Sequence, residues 1–301
     1  AAIRLPAEVL PVRYDISVTP DADKMSFAGH VDIQLDVRKA TSKVVLNALE
    51  LSLDKATLDN GVPAKITPDG AAQRATFDFG REMAVGRHTL HIDYRGVINS
   101  YSAGLFALDY DTPQGRRKQL ITQFESADAR RFVPSWDEPN RKAVFQISVT
   151  APADQFAVSN MPVASTQMVG AMRKTTFQPT PKMSTYLIFL GVGDLDRISE
   201  SVDGVDVGVV FRRGAQDKAR FALDAAAEIL RYYNDYFGVK YPLPKLDLVA
   251  APGAGGFGAM ENWGAILYFE NALLVDPKLS TEHDKQYVYL VIAHEMAHQW
   301  F

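Results

Sequence analysis

The chain has 301 residues, 47% of them apolar and 23% charged, with a formal net charge of −4 at neutral pH. That balance is ordinary for a globular protein with room for two domains. It offers no electrostatic footprint for nucleic acid or an anionic membrane, and no apolar run approaches the ~18 residues that a membrane-crossing helix needs. Cysteine is absent, so disulfides and thiolate chemistry are excluded and any metal must be held by His and carboxylates. The chain opens Ala1-Ala2-Ile3 without Met. This fits a mature N-terminus left by cleavage at small residues and export, and equally a trimmed chain.

The first two-thirds reads as β. Tyr14, Ile16 and Val18 alternate with Asp15 and Ser17, and Val31, Ile33, Leu35 and Val37 alternate with Asp32, Gln34, Asp36 and Arg38. A period of two marks strands with one buried and one wet face. Further strands are predicted at 43–46, 75–79, 88–94, 143–150, 175–180 and 185–191, separated by turn signals such as Asp59-Asn60-Gly61 and Pro68-Asp69-Gly70. Many short strands with turns between them predict an antiparallel sandwich or saddle.

The pattern changes after about Asp196. A strand pair is expected around 204–212, followed by a helix over 217–237 with Ala219, Ala222, Leu223, Ala226, Ile229, Leu230, Tyr233 and Phe237 at helical spacing. Gly238 is its expected stop. A strand at 246–250 precedes a glycine-rich stretch, Gly253 to Gly258. A last helix opens near Ser280 or Thr281. The domain boundary is placed near 197, giving a β-rich domain over 1–197 and a second domain over 198–301.

That last helix carries His294-Glu295-Met296-Ala297-His298. Residues four apart share a helix face, so His294 and His298 can aim two imidazoles at one cation. Glu295, rotated by one residue, can reach a metal-bound water without being a ligand, take its proton and pass it to a leaving amine. Zinc lowers the pKa of such a water from near 16 to roughly 7. A bare H-E-x-x-H also occurs in helices whose histidines merely pack or face water. Here the apolar run Tyr287 to Ala293 is expected to bury the helix. His30, His88, His91 and His283 show no comparable pairing. His88 and His91 read as strand surface positions and His283 as a first-turn residue of the same helix. Catalytic zinc usually has three protein ligands plus water, so two histidines are too few.

Gly258-Ala259-Met260-Glu261-Asn262 precedes this helix, with Glu261 lying 33 positions before His294. An enzyme that recognises a free α-ammonium needs such a carboxylate, and small residues ahead of it let a substrate backbone approach. By itself the segment reads equally as a glycine loop with one solvated Glu.

Together, G-A-M-E-N and H-E-M-A-H-Q-W resemble the gluzincin zinc aminopeptidase family, which contains aminopeptidase N and puromycin-sensitive aminopeptidase. The resemblance extends through Pro11 to Ile16, Thr122-Gln123-Phe124-Glu125, Asp128-Ala129-Arg130-Arg131, Trp136-Asp137-Glu138-Pro139, Met183-Ser184-Thr185-Tyr186-Leu187 and Tyr241-Pro242-Leu243-Pro244-Lys245. It implies a mainly β saddle-like N-terminal domain followed by the start of an α+β thermolysin-like metallopeptidase domain. It implies one zinc ion on His294 and His298, with a third ligand, a Glu, expected roughly eighteen residues past His298 and therefore beyond Phe301. Glu295 is then the general base. Glu261 and Glu125 anchor the free amine of a peptide substrate, Gln123 and Met260 shape the first side-chain pocket, and Gly258 and Ala259 contact the substrate backbone.

Two other readings stand beside this one. A family relative or fragment without peptidase activity would act as a peptide-binding module. A thermolysin-type endopeptidase would share the zinc helix but have no use for Glu261 or Glu125. A structural zinc site fits poorly, because such sites close with four protein ligands, often Cys.

Overall fold

The computed structural model describes residues 4–301. The chain forms two compact units: the first takes residues up to 107, then 122–153 and 163–188, and the second takes 108–121, 154–162 and 189–301. In chain order the strands are β1 (Val9–Asp21), β2 (Ser26–Val37), β3 (Thr41–Asn47), β4 (Leu51–Leu58), β5 (Val62–Pro63), β6 (Lys65–Asp69), β7 (Arg74–Met83), β8 (Gly86–Val97), β9 (Gly104–Thr112), β10 (Gly115–Gln123), β11 (Val144–Pro152), β12 (Phe156–Ser159), β13 (Val163–Val169), β14 (Met172–Phe177), β15 (Leu190–Gly193), β16 (Leu195–Val202), β17 (Val205–Arg212), β18 (Lys245–Ala251), β19 (Ala259–Met260) and β20 (Ala265–Phe269). The helices are α1 (Gln216–Tyr236) and α2 (Glu282–Ala297).

The first unit holds an eight-stranded sheet, β13-β14-β11-β1-β2-β8-β4-β5, and a three-stranded sheet, β3-β7-β6. The alternation in the sequence is the alternation in burial. Tyr14, Ile16, Val18, Val31, Ile33, Leu35, Leu90, Ile92 and Tyr94 are buried on one face, while Asp15, Ser17, His30, Asp32 and His91 stay half-buried on the other. This is what a period of two requires of a sheet with one packed face. β1 pairs antiparallel with β2 and parallel with β11, which ties the chain start to a strand more than a hundred residues later.

Several signature residues turn out to hold this unit together. The Asp137 carboxylate accepts hydrogen bonds from Arg130 Nε (2.9 Å) and the Thr185 hydroxyl (2.7 Å). The Tyr14 hydroxyl accepts from the Trp136 amide (3.1 Å), and burial pushes the Tyr14 phenol far up, which keeps it neutral. A buried carboxylate is tolerable only when paired and hydrogen-bonded, so Arg130, Asp137 and Thr185 form one unit although the sequence scatters them.

Two predicted strands are corrected. Thr185–Leu187 is a short 3₁₀ turn and only Leu190–Gly193 pairs as a strand. The Thr185 side chain is committed to Asp137 and the Ser184 hydroxyl to the Pro139 carbonyl (2.6 Å), which hold this stretch off a ladder. The run predicted at 175–180 is β14, which lies earlier and ends at Phe177. Thr180 instead bonds both backbone groups of Phe145, through its hydroxyl (3.0 Å) and its amide (2.8 Å).

The second unit is built on a five-stranded sheet, β16-β17-β18-β20-β19, and a four-stranded sheet, β12-β15-β10-β9, lies chiefly with it. β17, β18 and β20 are parallel. α1 makes the β17-to-β18 crossover and buries Ala219, Ala222, Leu223, Ala226, Ile229 and Leu230. The expected stop is confirmed: Gly238 has φ +66° and its amide bonds the Asp235 carbonyl, the left-handed conformation that favours glycine after a helix. α2 opens on Thr281 with a reciprocal capping box to Asp284.

β18 is buried along its whole length, including Lys245 and Asp247. Lys245 Nζ donates to Asp247 Oδ2 (2.8 Å) and to the carbonyls of Ser159 (2.5 Å) and Gly264 (2.8 Å). Burial lowers its pKa, and Asp247 opposes that shift. Asp247 also accepts from Arg197 Nε (2.7 Å). Breaking a buried pair by removing one partner costs about 3–5 kcal/mol. Lys245→Met is therefore expected to destabilise the chain by about that amount in denaturant unfolding; a loss under about 1 kcal/mol would show that the network carries little of the stability.

Candidate active site

The candidate residues of the second unit converge because three short elements are locked to one another. β19 pairs with β20 at Ala259 and Tyr268 and at Met260 and Leu267, and the Phe269 amide bonds the Gly258 carbonyl (3.1 Å). The chain then turns tightly. The Asn262 amide bonds the Met260 carbonyl (3.0 Å), and the Ala265 amide bonds the Asn262 carbonyl (3.2 Å). Glu261 is left half-buried at the start of this turn, between fully buried Met260 and Asn262. Gly258 and Ala259 are partly exposed.

α2 supplies the other groups. Val288, Ile292 and Met296 are buried at four-residue spacing, and Glu295 is buried beside Met296. The expectation that the apolar run 287–293 buries the helix is corrected: Tyr287 and Leu290 are 42% and 66% exposed, so only one stripe packs. The end of the helix is anchored instead by polar and aromatic contacts. The Tyr233 hydroxyl donates to the Ala293 carbonyl (2.8 Å), and Trp300 Nε1 donates to the Val239 carbonyl (2.7 Å). The Trp300 ring lies 5.5–5.8 Å from the rings of Tyr233, Phe237 and Tyr241.

This anchoring sets the geometry of the chemistry. One ligand atom each from Glu261, Glu295 and His298 lie within 4.8 Å of one another. Nε2 of His294 lies 3.2 Å from Nε2 of His298. Two ligands about 2.0–2.1 Å from a tetrahedral zinc are themselves about 3.3 Å apart, so the separation of the two imidazole nitrogens is compatible with a shared zinc ion. Of the motif residues, His294 is exposed, His298 is half-buried and Glu295 is only 7% exposed.

Gln123 and Glu125 belong to the first unit. Gln123 ends β10 and is buried, and Glu125 is exposed two residues later.

Two residues at the site escape sequence reasoning. Gln299, the residue after the second histidine, is buried and bridges the helix end to the glutamate turn. Its Nε2 donates to the Glu261 carbonyl (3.1 Å) and its Oε1 accepts from the Gly264 amide (3.2 Å). Its place directly after the motif was visible, but nothing in the spacing says which backbone it meets. Tyr268 on β20 is fully buried; burial, and then the nearby Glu295 charge, push its phenol well up, so it stays neutral beside that carboxylate.

Residues 10–187 match the peptidase M1 N-terminal domain, and residues 221–301 match the peptidase family M1 domain. The chain is 48% identical over 302 residues to aminopeptidase N of Acetobacter pasteurianus, covering all of this chain and 85% of that protein. It is 40% identical to aminopeptidase M1-A of Oryza sativa subsp. japonica and 38% identical to aminopeptidase M1 of Arabidopsis thaliana, covering 99% of this chain but only 35% of each plant protein.

The Gln299 bridge has a direct readout. Gln299→Ala should raise the hydrogen-exchange rate of the Gly264 amide about fivefold or more, as expected for losing a hydrogen bond of about 1 kcal/mol, while amides in the middle of α1 keep theirs. Unchanged exchange at Gly264 would mean that the turn holds itself without the bridge.

Proposed function

Because the chain belongs to the M1 family of peptidases, we propose that its site performs zinc-dependent removal of N-terminal residues from peptides. The observation that carries this reading is the convergence of Glu261, Glu295 and His298 within 4.8 Å, with the second imidazole 3.2 Å away. An endopeptidase needs its zinc ligands and the general-base glutamate; a further carboxylate offered by a separate turn beside them is what a free ammonium needs.

His294 and His298 would hold the zinc through their Nε2 atoms. When bound, the metal acts as a Lewis acid that makes water a nucleophile near neutral pH. Glu295 takes the proton of the attacking water and delivers it to the departing amine. Its burial keeps the carboxylate close and desolvated. Glu261 holds the substrate's α-ammonium by charge-assisted hydrogen bonds. Gly258 and Ala259 offer backbone without bulk along the substrate, and Met260 lines the pocket for the first side chain. A peptide with a blocked N-terminus leaves the Glu261 carboxylate unpaired and is rejected.

Glu295→Gln is expected to abolish turnover of aminoacyl substrates while zinc content, measured on the same sample, stays the same. Loss of the metal with the activity would make Glu295 a ligand and overturn its role as base. Glu261→Ala should cost at least about 2 kcal/mol, some thirtyfold, in kcat/KM for free-amine peptides. N-acetylated peptides should be poor substrates throughout; their efficient cleavage would point to an endopeptidase.

A further inference from the structure

The wet face of the eight-stranded sheet carries a second group of metal-type ligands, in the first unit and apart from the residues of the proposed catalytic site. In the sequence His30 shows no partner at metal-ligand spacing and His91 reads as a strand surface position; the strand register brings the two together. On β2 and β8, His30 is opposite Asp93 and Asp32 is opposite His91. Residues two apart on a strand share a face, so the four side chains form a checkerboard of two histidines and two aspartates.

The contacts are specific. Asp32 Oδ1 lies 2.9 Å from His30 Nε2 and 2.5 Å from His91 Nδ1, so one carboxylate oxygen faces two imidazole nitrogens. The other ring nitrogen of His30, Nδ1, lies 2.6 Å from Asp93 Oδ1. One ligand atom each from His30, Asp32 and His91 lie within 4.8 Å of one another. This is the arrangement by which metal-binding histidines are usually oriented: one ring nitrogen toward the cation and the other donating to a carboxylate.

The flanking register adds a second argument. Asp15 on β1 is directly opposite Asp32, and like charges opposite each other destabilise a sheet. Asp15 is paired with Arg13 (2.8 Å), whereas among the described residues the ion-pair partners of Asp32 are the two histidines. Lys55 sits opposite Asp93 on the far side. Among the described residues, Asp32 at the centre of the patch thus meets imidazole from two sides, a charge arrangement that a divalent cation would complete.

We propose that His30 Nε2, His91 Nδ1 and Asp32 bind a divalent transition metal of the zinc, nickel or copper type, with Asp93 orienting His30. Imidazole with carboxylate suits these ions, not magnesium or calcium. Tetrahedral ligands stand about 3.3 Å apart, so binding opens the present 2.5 and 2.9 Å separations by less than 1 Å and displaces the proton between His30 and Asp32. All three side chains are between 34% and 43% exposed, which gives them freedom to move and leaves coordination positions open to water. The metal would staple two neighbouring strands.

Equilibrium dialysis of the chain against zinc, with bound metal counted by mass spectrometry, tests this. His298→Ala removes the proposed catalytic site, and that variant should still bind one equivalent. His91→Ala added to it should abolish that equivalent, and Asp93→Asn should weaken it about ten- to a hundredfold. His88→Ala is the control. His88 also faces an aspartate, Asp59 (2.6 Å), on the same unit and should bind as the parent does. Should His91→Ala misfold, nickel-induced broadening of the His30 and His91 ring signals in the intact chain, at lower metal than for His88, gives the same answer. Equal zinc uptake with and without His91, or equal broadening of all three histidines, would reduce the cluster to a set of cross-strand ion pairs and overturn the proposal.

Discussion

The peptide group of Gly264 is the fixed point on which the second unit's site depends. Its carbonyl accepts from the Asp247 amide (3.0 Å) and from the buried Lys245 ammonium (2.8 Å), and its amide donates to Gln299 (3.2 Å). The central strand, the glutamate turn and the end of the histidine helix therefore meet at one backbone unit. The constraint is strict: Gly264 has φ +74°, and an added Cβ would come within 2.1 Å of the Asn160 carbonyl. Asn160 in turn donates to the Trp263 carbonyl (2.8 Å). No side chain larger than glycine's fits there without moving backbone. Glu261 and His298 are close because the segments that bear them are held by this one knot.

Preorganisation of this kind matters for chemistry that depends on distances of a few tenths of an ångström. A glutamate on a free glycine loop would sample many positions. Glu261 instead follows a pinned β-pair, and its own carbonyl is held by Gln299. The buried face of α2 is narrow, so the helix takes its orientation from the Tyr233 and Trp300 hydrogen bonds as much as from packing.

Much of this was legible in the sequence, and the failures have physical causes. The period-two alternation located β1 and β2 and identified their buried residues, because one face of that sheet packs and the other is wet. The helix with four-residue spacing, its glycine stop and the Thr281 start were also legible, since local backbone chemistry decides them. The strand predicted across Thr185 failed because a buried carboxylate, Asp137, claims that side chain from far away in sequence. Likewise, the sequence shows no pairing for His30 and His91, because register is a property of the fold and not of local spacing. Gln299 was missed for the same reason. The histidine helix and the glutamate turn were legible as motifs, but the knot that joins them runs through backbone groups held by Lys245 and Gln299, which sequence patterns do not display.

The central claim is that α2 and the glutamate turn form one metal and amine site. Anomalous diffraction at the zinc edge, from crystals of the zinc-loaded chain, tests it most directly. The account predicts a peak about 2.0–2.1 Å from Nε2 of both His294 and His298, with Glu295 and Glu261 nearby but outside the ligand shell. A peak ligated by Glu295, or no peak between the two imidazoles, would contradict it.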